Sequence, residues 1–209
     1  MSKRSVEIAD VTFDPDRERF LYGCLVSLRP RKYRRRREYL DAAIPKGFRK
    51  KILTFEGKVV GTIEYAPPDG AGYPIQGKNI MVINCIWVLR RAKGHSLGTR
   101  LIEDVMQAEP SASGFATIGL EDHRSPWFKK SQIEKLGFSS IDSIRVTHKT
   151  RHVGVPFTIH LMWLPRHKDA EPPTWDKKKL LEGEYFCRAH PFYHPQTYKP
   201  KEILEEVLS

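Results

Sequence analysis

The stretch INCIWVLRRAKGHSLGTRLIEDVM, residues 83–106, decides the fold. Its first seven residues close an almost continuous apolar run, residues 79–89, which suits a central strand covered on both faces. A polar segment with two glycines follows, Arg90 to Gly98, and behind it Leu97, Leu101, Ile102, Val105 and Met106 recur at helical spacing. Strand, glycine-containing loop and helix in this order present backbone N–H groups and a helix N-terminus to a phosphate or pyrophosphate. Glycine lets the backbone approach the oxygens closely. The same order also serves as a plain tight turn, and on these residues alone both readings stand. Neither G-x-x-x-x-G-K-S/T nor G-x-G-x-x-G occurs, so a nucleotide P-loop and a dinucleotide fingerprint are not supported.

Working outward, VEIADVTFD near the N-terminus alternates apolar and polar residues as a strand does, and Asp14-Pro15-Asp16 supplies a turn and helix start. Phe20, Leu21, Cys24, Leu25 and Leu28 predict a helix ending near Pro30, with Cys24 in the core. A second helix is expected over Arg31 to Ala43, with Tyr33, Arg37, Leu40 and Ile44 on its inward face; Pro45 and Gly47 close it. KKILTFEGKVVGTIEYAP predicts two strands about the Glu56-Gly57 turn, followed by a Gly/Pro-rich connection to Gly77. Beyond the central stretch come strand GFATIGL, a helix around Lys130 to Leu136, and strands near 138–147 and 156–164. RHKDAEPPTWDKKK reads as a connector, and KPKEILEEVL as a short C-terminal helix.

The chain has 209 residues, 40% hydrophobic and 29% charged, which is globular composition and enough to bury a core without disulfides. No apolar run approaches the roughly 20 residues that cross a bilayer, and MSKRSVEIAD lacks a signal-peptide core. A cytoplasmic protein without a membrane partner is expected. The formal charge of +11 invites nucleic acid as a partner, yet Arg29 to Lys51 alone carries +9. That basic segment admits three readings: a solvated helix face, a phosphate-binding surface for nucleic acid, or the lining of a substrate cleft. Four successive arginines on a helix point in nearly every direction, so they cannot serve one pocket. Arg37, on the apolar face, is the one expected to turn inward and recognise an anionic group.

The loop resembles the acetyl-CoA pyrophosphate loop of the GNAT superfamily of N-acetyltransferases, whose pattern is Q/R-x-x-G-x-G/A. Lys93 stands where Gln or Arg is usual, Ser96 replaces the central Gly, and Gly98 matches. FKKSQIEKLGFSSID, residues 128–142, is similar to the family's F/Y-x-K-x-G-F segment. The resemblance implies a mixed α/β fold, with a mostly antiparallel, partly splayed sheet flanked by helices, over residues 1–165. Residues 166–209, outside the resemblance, are expected to form an extension packing on it. The resemblance further implies that acetyl-CoA is the co-substrate and that an amine of a small molecule or protein is acetylated directly; no metal is expected. Pantetheine would pair near Ile86 and Val88, and Lys93, Gly94, His95, Ser96, Leu97, Gly98 and Thr99 would hold the pyrophosphate.

The acid and base depart from the family pattern. The usual leaving-group Tyr falls at Ile133, and the early carboxylate of some relatives falls at Val82. Two readings stand for Asn84, positioning a water or capping irregular strand pairing, and two for Glu64, general base or solvated strand carboxylate. Cys85 is expected to be a buried structural thiol. Cys187, His190 and His194, in the spacing C-x2-H-x3-H, offer three metal ligands where zinc usually takes four. A non-catalytic acyl-CoA-binding domain and a nucleic-acid-associated protein are the alternatives.

Overall fold

The computed structural model describes residues 5–25, 34–150, 153–195 and 201–207. Strand β1 (Val6–Asp10) leads to Asp14, whose carboxylate accepts from the N–H groups of Asp16 and Arg17 and so starts a 3-10 turn that runs into α1 (Glu18–Tyr22). This helix is shorter than its apolar stripe predicts. Gly23 is extended, and the carbonyls of Leu21 and Gly23 turn to buried cations, accepting from Arg36 at 3.1 Å and from Lys50 at 2.6 Å. Residues 26–33, including Leu28 and Tyr33, lie outside the described residues.

Helix α2 (Arg34–Ala43) buries Arg36, Leu40 and Ala43, spaced i, i+4 and i+7. Arg37, expected on the inward face, is exposed. The stripe lies one residue earlier than the sequence suggests, because Arg36 is drawn inward by an internal carboxylate, and an arginine does not read as part of an apolar stripe.

Strands β2 (Arg49–Phe55) and β3 (Lys58–Ala66) form the expected hairpin, with Glu56 and Gly57 both at positive φ as its turn requires. Then follow β4 (Ile75–Gln76), β5 (Ile80–Val88), α3 (Leu97–Ala108), β6 (Gly114–Glu121), α4 (Lys130–Glu134), β7 (Ser139–His148) and β8 (Phe157–Pro165). The C-terminal part adds β9 (Thr174–Trp175), α5 (Lys177–Leu181) and β10 (Leu204–Glu206).

The main sheet runs β1-β2-β3-β5-β6-β8-β7-β10, while β4 pairs with β9 separately. All neighbours are antiparallel except β5 and β6. That parallel pair joins only Ile80–Val82 to Gly114–Ala116. Beyond it the two strands part while β5 stays paired with β3, leaving the β6-facing backbone groups of β5 without a partner strand and therefore open to a ligand. Helix α3 and Ile133 of α4 cover one core with Ile83, Phe115 and Met162. The other core receives Leu180, Phe186, Phe192, Ile203 and Leu204 from the C-terminal part, against Val82, Ile118, Ile159 and Leu161.

The expected C-terminal helix is a strand. Leu204 to Glu206 pair antiparallel with His148 to Val146, which covers the exposed edge of β7, and Leu204 is fully buried while Glu205 and Glu206 face solvent. Edge pairing satisfies the backbone and buries Ile203 and Leu204, which outweighs the local helical preference of this Glu- and Leu-rich stretch. Among the described residues no helix is long and apolar enough to cross a membrane.

Candidate functional site

The parting of β5 from β6 opens a groove of about 380 Å³. Ile86 and Val88 line it, as do all seven residues from Lys93 to Thr99, so the structure brings the whole expected cofactor loop to one place. The loop's conformation follows from its sequence. Gly94 has φ +85, a left-handed geometry that glycine adopts without a Cβ penalty. Ser96 is also left-handed, at φ 51, and its hydroxyl makes no capping bond to α3. The first-turn N–H groups of α3 therefore end at the groove without a side-chain cap, at the positive end of the helix dipole. Arg90, Lys93, Lys129 and Lys135 line the same groove and, among the described residues, no carboxylate does, which suits a ligand with several phosphate charges. His95 stacks on Phe55, ring centroids 4.8 Å apart.

Ile133, where the sequence leads one to expect the family's Tyr, lines the groove as a buried aliphatic side chain. Phe128 lines it too and is held at φ 56, where a bulky residue stores about 1–3 kcal/mol. Its carbonyl accepts from the Leu120 N–H at 2.6 Å, which pins the segment entering α4 to β6.

Deeper along β5 the groove meets a small apolar pocket of about 30 Å³, room for about one water. Trp87, Trp127, Phe128 and Phe186 form its aromatic wall. All three cysteines of the chain, Cys24, Cys85 and Cys187, reach it, although 60 residues or more separate each from the next. Burial pushes the Cys85 thiol well above its ordinary range; a hydrogen bond with Cys24, and then burial, does the same for Cys187. Both remain thiols at neutral pH and are poor nucleophiles. The indole N–H of Trp87 is buried with no hydrogen-bond partner among the described residues.

Asn84 lines this pocket, but its amide is committed. The β3–β5 register steps from Glu64↔Cys85 to Tyr65↔Ile83, so Asn84 is the extra residue of a β-bulge. Its Nδ2 donates to the Tyr39 hydroxyl at 2.6 Å and its Oδ1 accepts from the Gly72 N–H at 2.9 Å. This is the capping of irregular pairing, and the water-positioning expectation gives way to it because the side chain's groups bind protein instead.

Glu64 is 5% exposed and so is no solvated strand carboxylate. Its Oε1 and Oε2 accept from the Arg36 guanidinium at 2.7 and 3.0 Å, and Lys50 Nζ lies 2.7 Å from Oε1. Burial pushes its pKa up, but Arg36 and Lys50 outweigh this and hold it at about 2. A carboxylate so held keeps its negative charge at neutral pH and takes up protons poorly, which corrects the general-base expectation. Arg36 and Lys50 are thereby spent inside the protein, and Lys51 pairs with Asp104. The basic segment thus contributes fewer free charges than its sequence suggests. Exposed Arg37 lines none of the cavities described.

The metal-like spacing near the C-terminus is used for packing. His190 Nδ1 accepts from the Phe192 N–H at 2.9 Å and its Nε2 faces the Tyr73 hydroxyl at 3.0 Å, while burial lowers its pKa to about 3. The His194 ring lies on Tyr185, with centroids 4.9 Å apart. Among the described residues no group of three or more His, Cys, Asp or Glu side chains is arranged to hold a metal ion.

A family model described as the acetyltransferase (GNAT) family matches residues 14–130. Solved structures of low sequence identity share the fold. An Acinetobacter baylyi acetyltransferase structure has TM-score 0.54 at 14% identity, with 84% of this chain and 100% of that one covered. A GNAT-family protein from Desulfovibrio desulfuricans has TM-score 0.53 at 15% identity over 77% of this chain and 99% of that one. NAA60 of Arabidopsis thaliana, solved with a bisubstrate analogue, has TM-score 0.52 at 12% identity, covering 77% and 98%. Among curated protein sequences none matches.

Proposed function

Since the chain belongs to the acetyltransferase (GNAT) family, we propose that it is an N-acetyltransferase that moves the acetyl group of acetyl-CoA directly to an amine. The observation that carries this reading is the continuity of two cavities. The cationic groove ending on Lys93–Thr99 shares Ile86, Trp87 and Phe128 with the small aromatic and thiol-lined pocket. In this reading the pyrophosphate lies on the loop and the start of α3, the pantetheine arm runs along Ile86 and Val88, and the thioester reaches the mouth of the small pocket.

The chemistry follows from what lines that pocket. Glu64 is paired, Asn84 is committed, and the Cys85 and Cys187 thiols hold their protons. An ammonium entering an apolar pocket is disfavoured by desolvation, so its pKa falls and the neutral, nucleophilic amine is produced by the site's polarity. Positioning of amine against thioester supplies the remaining acceleration. As the C–N bond forms and the C–S bond breaks, the nitrogen gives up one proton to solvent at the open groove. The released thiolate takes one from the same water, because Ile133 occupies the position of the usual acid.

The test is release of CoA thiol from acetyl-CoA with a panel of primary amines. Amine-dependent release supports the transferase. Binding of acetyl-CoA without release by any amine from pH 7 to 9 favours a second reading, an acyl-CoA-binding module, which the aliphatic Ile133 and the paired Glu64 support. The nucleic-acid reading is weaker, since Arg36, Lys50 and Lys51 point inward to carboxylates. It requires binding that falls steeply with salt.

A further inference from the structure

A second cavity, of about 420 Å³, lies between the Pro68–Gln76 connection and the C-terminal part of the chain. Glu184 lines it and is 5% exposed. Among the described residues its carboxyl has no hydrogen-bond or ion-pair partner: burial is the sole influence on its pKa, and it raises it well above the ordinary range. A buried carboxyl without a partner is costly, so it calls for an occupant that would pair with it.

The surroundings name the charge of that occupant. Glu182 and Asp69 line the same cavity, and among the described residues the one ammonium on its wall, Lys179, already lies 3.8 Å from Asp176. Arg35 lies over one face of Tyr185, 4.3 Å from its centroid, so that guanidinium is engaged with the ring. Tyr73 and Tyr185 supply aromatic wall, which favours a cation with an apolar body. Tyr73 also separates this cavity from the thiol-lined pocket, because its hydroxyl donates to the Asn84 carbonyl at 2.9 Å and contacts His190, both of which line the other side.

We propose that this cavity is a binding site for a small alkylammonium ion, whose charge pairs with Glu184 and whose carbon chain rests on Tyr73, Pro74 and Ile75. The site is separate from the acetyl-transfer groove and does not depend on the reading of that groove.

The test is an amide NMR titration of the full chain, without acetyl-CoA, using n-butylammonium chloride against n-butanol and against sodium chloride at equal ionic strength. Saturable shifts at Gly72, Gly183 and Glu184 are expected with n-butylammonium, weakened at least about tenfold with n-butanol and in the E184Q variant. Equal binding of n-butanol, the same shifts with sodium chloride, no saturation, or full binding by folded E184Q would each overturn the site. Should E184Q fail to fold, the comparison of charged and neutral probe on the wild-type chain decides alone.

Discussion

Arg36 on α2 and Glu64 on β3, 28 residues apart in sequence, meet in a buried two-bond ion pair of 2.7 and 3.0 Å, and Lys50 closes on the same carboxylate at 2.7 Å. The cluster fastens α2 and the end of α1 to the sheet. Replacing one charge leaves the others buried without compensation, so Glu64→Gln should cost about 3–5 kcal/mol. Urea denaturation at pH 7 reads this as a lowered midpoint with an unchanged slope; a loss below about 1 kcal/mol would mean the cluster is solvated.

The same carboxylate fixes an acid limb of stability. Its folded pKa, about 2, lies below the ordinary 4.5, so its contribution is complete above 4.5 and is lost as pH falls toward 2. The difference corresponds to about 3 kcal/mol. Denaturation between pH 6 and pH 2 should show this loss in the wild type, with a shallower dependence in Glu64→Gln.

Acetyl-CoA should stabilise the folded chain by about 2.7 kcal/mol at a hundred times its dissociation constant. Lys93→Ala should weaken binding about tenfold and flatten its salt dependence, since one charge-assisted contact is removed. Calorimetric titration at two ionic strengths checks both effects.

If site polarity deprotonates the acceptor, the rising limb of kcat/KM with pH belongs to the amine. Changing from a strongly to a weakly basic acceptor should move that limb to lower pH. A limb that stays in place for every acceptor would assign it to a protein group instead.

Phe192 ties the C-terminal part to the core. It is fully buried and stacks on Phe157, centroids 5.8 Å apart. Phe192→Ala should destabilise the whole chain by about 3–5 kcal/mol in one cooperative transition. A separate early transition, with the rest unaffected, would make residues 166–209 an appendage.

Local features were legible in the sequence. The apolar run at 79–89, the two glycines behind it and the amphipathic helix after them specify strand, loop and helix through contacts within a few residues, and all seven expected loop residues line the groove. The phase of α2 was not legible, because Arg36 faces inward only where Glu64 and Lys50 await it. The bulge that places Asn84 depends on β3, and the fate of Leu204 on the open edge of β7. Phe128 opens the segment 128–142 that resembles the family and Trp127 directly precedes it, but nothing local joins them to Trp87 or Phe186.

The sequence by itself determined the fold class, through periodicity, and carried the motifs by which the family is recognised; it also marked the loop that lines the groove, since these rest on residues close together in the chain. Only the tertiary structure decided which charges are spent. Glu64 became a buried counter-ion, Asn84 a structural bridge and Glu184 an acid with no partner among the described residues, because the protonation and partners of a side chain depend on burial and on groups far away in the chain.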